Sequence, residues 1–516
     1  MILFFLAIFQ HTYKYYPLGT ESTFNQRLDH FSLSDHRVFK QRCFFNFDYN
    51  RTELNFPIIV YIGGESTLSS SSVSGGSIIS VANRTHALIA GLEHRFYGKS
   101  QPFDRLSTEA LQYLTVDQAL EDLASFVSYL RTTYCPNNNC KVLVVGGSYS
   151  GALSSWFRLY YPHLADFSWS SSAPVNIKEK FPEYDASLAY TLWQYNESCY
   201  SNTKILLSNY HQIVASQNPQ KISEYLSKYS IPDSVDLYSS LSVIHDVISY
   251  AVQYNKRYQL ISEYCTQQSG DIPNEKALED LYTNMLKQLD KTAEYLDPFS
   301  YKDENPYDEN AAMRCWTWMT CNELGWFSTT AGFLSSFINK SYYQRLCAAL
   351  FDNITVGNIE SVSHRYGGTK PRSTYVVFTH GSSDPWSKVG VESIDSNISQ
   401  YLFNIKGGSH CEDLSAESIS DSEDLRSVRS KVVDILVNWI NDQCTKKCSH
   451  GTCLHEKCLC DENWSGEFCD FPVVSSIRFW KVAITAVVIP VLIMILIGGT
   501  AWWLFKRMHE EQLLLS

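Results

Sequence analysis

Net basic character is scarce in this chain: 42 Lys and Arg stand against 54 Asp and Glu, a formal charge of −12, and no basic stripe runs along it. That argues against a nucleic-acid partner, whose phosphates need clustered cations. Long low-complexity tracts are also missing between about Thr23 and Asn441. Met1 to Phe9 (MILFFLAIF) has no basic leader and no clean small-residue cleavage site. It is nevertheless apolar, short and followed by polar residues, as the apolar part of a signal peptide is, so residues 1–12 are read as one. With 516 residues the chain is long enough for a large core plus appendages.

Cysteine, by contrast, is plentiful. There are 15, six of them between Cys444 and Cys469, and sequons for N-glycosylation occur at Asn50, Asn83, Asn196, Asn339, Asn353, Asn397 and Asn463. Together they point to an oxidising, secretory environment. Near the other end, Val482 to Phe505 carries no charge. As a helix its 24 residues would span about 36 Å, enough to cross a bilayer with some tilt. Trp480, Trp502 and Trp503 sit near its ends and Lys506-Arg507 follow as a stop signal. The expectation is a single-pass type I membrane protein with its bulk luminal or extracellular and residues 506–516 cytoplasmic. The tail's Glu510-Glu511-Gln512-Leu513-Leu514 is similar to an acidic dileucine sorting signal, so the destination is endolysosomal or the cell surface.

Short apolar runs alternate with helical patterns in the first part. Pro57 to Ile62, Ala87 to Leu92 and Lys141 to Val145 read as buried strands, and Val116 to Thr132 as a helix. Strand patterns return at Thr374 to Phe378 and Tyr401 to Ile405, and an amphipathic helix closes the region from about Leu425 to Asn441. This alternation predicts a mostly parallel sheet with helices on both faces, formed by residues 20–174 and 368–442. Residues 175–367 are polar, rich in Tyr and Ser, with helical periodicities and few strand candidates, and read as a helical insertion. Residues 444–470 form a separate module with the spacing C-x3-C-x4-C-x4-C-x-C-x8-C, too short for a core of its own and in need of disulfides. Nine cysteines remain outside it, so at least one is unpaired or intermolecular, and Cys135 and Cys140 are spaced to close a local loop.

The strongest chemical signal is Gly146-Gly147-Ser148-Tyr149-Ser150-Gly151, directly after a strand and before a helix, the setting of a nucleophile elbow. Ser150 stands where the usual pattern has glycine. A serine hydroxyl needs a base, and the base a carboxylate to orient it. Asp384 follows one later strand and His410 the next, giving the order Ser, acid, His expected of this fold. The catalytic candidates are therefore Ser148, Asp384 and His410, with the Tyr149 N–H as an oxyanion donor. No cofactor or metal enters this scheme.

These residues carry a resemblance. The chain is similar to the serine carboxypeptidase family of prolyl carboxypeptidase and dipeptidyl peptidase II, nearest its thymus-specific serine protease branch. The resemblance rests on Gln26-Arg27-Leu28-Asp29-His30-Phe31, Tyr61-Ile62-Gly63-Gly64-Glu65, Glu93-His94-Arg95-Phe96-Tyr97-Gly98, Cys321-Asn322-Glu323-Leu324-Gly325, the elbow and both triad loops. It implies an α/β-hydrolase core with a helical cap inserted between nucleophile and acid, and exopeptidase action on peptides, beside proline or small residues, in acidic compartments. Trp386 would then lie beside the pocket for the residue preceding the scissile bond, or in the core. Glu65 would bind a substrate terminus or fix the loop that supplies a second oxyanion donor. Glu93-His94-Arg95 reads as a buried ion-pair network sooner than as catalytic. Two positions depart from the proline-specific members: Ala152 replaces a Met, and Cys411 stands where a second His follows. The small module resembles an epidermal-growth-factor-like module, whose pairing would join Cys444 to Cys453, Cys448 to Cys458 and Cys460 to Cys469. An esterase or lipase on the same fold, and a non-enzymatic membrane receptor, remain alternatives. The oligomeric state stays open, a homodimer included.

Overall fold

The computed structural model describes residues 19–441 except 51, 53, 138 and 256–258, parts of 448–472, and residues 502 and 507. The expected signal peptide (1–12), the span 482–505 apart from Trp502, the tail beyond Arg507, Asn463 and Cys444 lie outside the described residues. Among the described residues no helix is long and apolar enough to cross a membrane.

The main body, Met1–Ile440, is one compact unit. Its strands are β1 (Thr20–Arg27), β2 (Val38–Asn46), β3 (Ile58–Ile62), β4 (Leu88–Leu92), β5 (Val142–Gly147), β6 (Phe167–Ser171), β7 (Lys178–Lys180), β8 (Gly325–Phe327), β9 (Val376–Gly381) and β10 (Gln400–Ile405). Eight of them form one sheet in the order β1-β2-β4-β3-β5-β6-β9-β10. The β1–β2 and β2–β4 pairs are antiparallel, and the five remaining pairs are parallel. That order, with a long excursion between β6 and β9, is the α/β-hydrolase architecture. The central strands IIVYI and LIAGL are almost wholly buried because helices cover both faces of a parallel sheet.

The strand β6 escapes a hydropathy reading: FSWSS looks polar, yet all five residues are buried. Its serines are tolerated because each finds a partner. Ser168 Oγ donates to Ser154 Oγ at 3.1 Å, Ser170 Oγ to the Gly151 carbonyl at 2.8 Å and Ser171 Oγ to Asp413 at 2.5 Å.

Between β6 and β9 the chain is helical, as its composition predicts. Its helices include Pro182–Tyr195, Glu197–Ala215, Ser239–Gln253, Glu275–Leu289, Ala311–Met319 and Lys340–Leu350. The strands of this stretch, β7 and β8, pair only with each other. Asparagine begins five of its helices: Asn196, Asn218, Asn274, Asn339 and Asn358 each accept a backbone N–H of the first turn. Each such cap stabilises its helix by about 1 kcal/mol. Disulfides Cys199–Cys265 and Cys321–Cys347 fasten this layer, and Cys135–Cys140 closes the local loop expected from its spacing. Cys43, Cys315 and Cys411 are free thiols.

Asn441–Ser516 is a second unit. Two short antiparallel ribbons pair Gly451–Leu454 with Lys457–Cys460 and Trp464–Ser465 with Phe471–Pro472. Two of the three expected disulfides are present, Cys448–Cys458 and Cys460–Cys469.

Candidate active site

The turn after β5 forces Ser148 to φ 58° and ψ −131°, a conformation that costs an L-residue of order 1–3 kcal/mol and lifts its side chain off the sheet. Small neighbours make the turn possible. A Cβ on Gly146 would lie 2.1 Å from the Ser150 carbonyl oxygen, and one on Gly151 would lie 2.6 Å from that of Ser171. Ser150 fits in place of the usual glycine because its hydroxyl turns inward, donating to the Gly147 carbonyl at 2.8 Å. The helix Tyr149–Tyr160 starts immediately after, so the first backbone N–H groups point out beside Ser148.

At the end of β9, Asp384 is fully buried. One carboxylate oxygen accepts the Trp386 N–H at 3.0 Å and the other meets His410 Nδ1 at 2.8 Å. Nδ1 is thus the donor and Nε2 is left as the acceptor of a proton. Burial disfavours the imidazolium, but the Asp384 charge outweighs it and holds the His410 pKa well above its ordinary value. The His410 loop reaches the elbow: a Cβ on Gly147 would lie 3.0 Å from Cys411 Sγ.

Two residues that carry no recognisable motif hold this loop. Asp413 accepts Trp169 Nε1 at 2.9 Å, Ser171 Oγ at 2.5 Å and Thr379 Oγ1 at 2.6 Å, tying it to β6 and β9. Gln253, at the end of a cap helix, accepts the His410 backbone N–H on its carbonyl at 3.0 Å. Its side-chain oxygen also accepts Trp386 Nε1 at 3.1 Å and the Tyr184 hydroxyl at 3.0 Å. The cap therefore sets the position of both Trp386 and His410.

Trp386 is half-buried, against Phe181, Tyr184 and Trp326 with ring centroids 5.5–5.7 Å apart, and 6.5 Å from the His410 ring. It is packed against these rings and partly exposed. Glu65 follows β3 in a loop that abuts the elbow: a Cβ on Gly64 would stand in ordinary contact with Ser150 Oγ, at 3.5 Å. The carboxylate of Glu65 is close enough to His410 for the two to interact electrostatically, and burial raises its pKa.

Glu93, His94 and Arg95 form a buried polar network, as the sequence predicts. Glu93 pairs with Arg42 and accepts the Leu68 and Lys99 N–H groups at 3.0 Å and Ser100 Oγ at 2.7 Å. Arg95 makes a bidentate pair with Asp122 at 2.6 and 2.7 Å. His94 donates from Nδ1 to the Arg95 carbonyl, so Nε2 accepts the Tyr149 hydroxyl at 3.2 Å, and burial lowers its pKa to about 4. A neutral His94 thereby steadies the residue next to Ser148. Glu323 of the Cys-Asn-Glu-Leu-Gly segment accepts the Val116 N–H at 2.8 Å, a helix-start contact.

A strained serine at a strand–helix elbow and a carboxylate-bound histidine at later strand ends of the same sheet define a hydrolase of the α/β class. Sequence comparison narrows the class. The profile of the family described as Serine carboxypeptidase S28 matches residues 26–432. A probable serine protease of Arabidopsis thaliana, EDA2, is 29% identical over 83% of this chain and 90% of its own length. The thymus-specific serine protease of Mus musculus is 28% identical over 81% and 87%. A solved proline iminopeptidase of Mycobacterium smegmatis is similar over 81% of this chain and 99% of its own at 11% identity, with a TM-score of 0.33, too distant to bear on activity. The chain belongs to the serine carboxypeptidase S28 family and is a serine-type peptidase.

Proposed function

We propose that the protein is a serine exopeptidase that cleaves peptides beside proline or small residues through a Ser148–His410–Asp384 triad. The observation that carries the reading is the 2.8 Å His410–Asp384 hydrogen bond beside an elbow that holds Ser148 at φ 58°. His410 Nε2 takes the Ser148 proton as Oγ attacks the peptide carbonyl, and returns it to the leaving amine. Water, activated in the same way, then releases the acyl group. The Tyr149 N–H at the helix start is one oxyanion donor, and the Gly63-Gly64-Glu65 loop supplies a second. Trp386 forms a wall of the pocket for the residue before the scissile bond, where its ring packs on proline.

The same reading places the catalytic unit on the luminal or extracellular side, held by the span 482–505 behind an EGF-like spacer. Its support is the secretory density of cysteines and sequons and the uncharged run itself. Asn83, Asn339, Asn353 and Asn397 are exposed, as glycan acceptors must be.

The test is turnover of peptide libraries by the wild type and Ser148→Ala. We expect loss of activity by about 10⁵–10⁶-fold with unchanged thermal unfolding. Hydrolysis near the wild-type rate in the mutant, or cleavage of acyl esters but no peptide, overturns the assignment.

A further inference from the structure

The cap helix Pro182–Tyr195 ends on an exposed aromatic face that the proposed triad does not use. Tyr190 is 53% exposed and Trp193 50%, and their rings stack with centroids 6.0 Å apart at 23°. Gln194 Nε2 donates to the Tyr190 hydroxyl at 3.0 Å and steadies that ring. Two large rings side by side and half in water leave apolar faces open to an occupant. The chain carries a candidate of its own close by. Asn196, the acceptor of the sequon Asn196-Glu197-Ser198, comes about one helical turn after Trp193, and its N–H still bonds to the Leu192 carbonyl at 3.1 Å. The two ends of its side-chain amide differ. Oδ1 accepts the Ser198 N–H at 2.8 Å and caps the next helix. Nothing among the described residues accepts from Nδ2, the atom that carries an N-glycan. Asn339 caps a helix in the same way, but its Nδ2 donates to the Ser336 carbonyl at 2.9 Å.

We propose that Asn196 is glycosylated and that its first sugars lie on the Tyr190–Trp193 face, making this end of the helix a platform for the protein's own carbohydrate. The sugar donor is a lipid-linked diphosphate oligosaccharide. Nδ2 forms its bond to the anomeric carbon of N-acetylglucosamine as the bond from that carbon to a diphosphate oxygen breaks. The amide proton passes to the transferase's base, and the lipid diphosphate leaves as the anion. A pyranose presents axial C–H groups on one face, and these meet the negative face of an aromatic ring. Other occupants fit less well. Residues 181–203 contain no Lys or Arg, whereas a lipid surface is met by Trp together with cations. A second copy of this chain would have to accommodate the glycan at the rim of the contact. The effect extends toward the cleft, because the same helix carries Tyr184, whose ring lies 5.5 Å from that of Trp386 and whose hydroxyl donates to Gln253 at 3.0 Å. The inference rests on the luminal reading, since only that side of the membrane meets the transferase.

The experiment uses the full chain, made in a eukaryotic secretory host and held in mild detergent. An amidase that removes N-glycans acts on the folded protein, and release at each sequon is followed by mass spectrometry. We expect release at Asn196 to be about 3–10-fold slower than at the exposed Asn83, Asn353 and Asn397, the weight of one aromatic contact. Trp193→Ala removes the delay and Trp193→Phe keeps part of it. Ser198→Ala abolishes the sequon while leaving Asn196 to cap its helix, and hydroxyl-radical labelling of Tyr190 and Trp193 should rise by the same factor. A delay that persists in Trp193→Ala overturns the inference, because the half-buried setting of Asn196 would then be its cause. An unmodified Asn196 beside occupied sequons overturns it too, as does equal release at all sites. So does labelling that Ser198→Ala leaves unchanged, which sedimentation as a dimer would trace to a second copy on this face. Absence of glycan from every sequon overturns the inference and the luminal reading together.

Discussion

In the core, the residues proposed for catalysis stand at strand ends of one sheet: Ser148 after β5, Asp384 after β9 and His410 after β10. Ser148 is held by its strained turn, and Asp384 and His410 by each other and by buried polar partners, with the Gln253 carbonyl of the cap among them. The cap contributes in another manner. Gln253 and Tyr254 at one helix end, Trp316 on another helix and Trp326 on β8 come from distant parts of the chain, and they reach Trp386, His410 and Tyr149 through contacts that depend on how this layer is stapled together. The difference teaches where each property resides. Bond-making rests on a sheet that a single motif can announce, whereas choice of substrate rests on a layer whose residues are adjacent only after folding.

If the division is right, the most severe lesions lie in the core. Ser148→Ala has the largest expected effect, the near-complete loss already described. Asp384→Asn comes next: kcat should fall by about 10⁴-fold, because the imidazole loses the acceptor that fixes its tautomer. The same change has a signature in pH. Activity needs neutral His410 and declines as pH falls through its pKa. Asp384 holds that pKa high, so its removal moves the acid limb of the residual activity to lower pH. An unmoved limb would show that the two groups are not coupled.

Cap lesions should be milder and should alter substrate choice. Gln253→Ala removes the acceptor shared by Trp386 and Tyr184, and we expect kcat/KM on proline peptides to fall about 10–100-fold with fluorophosphonate labelling of Ser148 retained. Loss of labelling as well would show that this side chain is needed to hold the triad, whose His410 Gln253 meets only through its backbone carbonyl. Replacing Cys199 and Cys265 together opens a loop of 66 residues and should lower stability by about 2–4 kcal/mol, seen as an earlier unfolding of the cap.

The smallest effect concerns pH and the cap. Asp185 accepts the N–H groups of Ala331, Phe333 and Leu334 and pairs with buried His245 at 3.1 Å. Burial works against the His245 cation, yet its hydrogen bond to Asp185 and the Asp246 carboxylate 3.9 Å away outweigh it and raise the pKa from 6.5 to about 9. For a raised histidine the stabilisation is complete below pH 6.5 and is lost as pH rises through about 9. The Asp185 pKa is correspondingly lowered, and that share is lost only in strong acid. His245→Gln should therefore lower the Tm more at pH 5 than at pH 9.5, by roughly 5 °C. An equal penalty at both values would show a neutral His245.

The sequence was readable where one segment contains its own reason. The strands IIVYI and LIAGL, the elbow helix and the triad loops stand within a few residues of their predicted bounds. The helical character of 175–367 was visible in its lack of strand patterns, and Cys135–Cys140 in its spacing. What stayed hidden depends on distant partners. The strand β6 carries no hydrophobic strand signal because its serines are satisfied by Asp413, Ser154 and Gly151. Asp413 and Gln253 bear no motif, since their role is to bond three elements that sequence does not bring together. Asp413 had one faint signal, its position three residues after His410. The β1–β2 hairpin at the sheet edge was missed because half of β1 faces outward and its pattern is weak.

The most direct test of the account is peptide mapping of the folded luminal protein after reaction with a fluorophosphonate. The account predicts a single stoichiometric adduct on Ser148 that requires His410. An adduct on another serine, or none on protein that unfolds cooperatively, would contradict it.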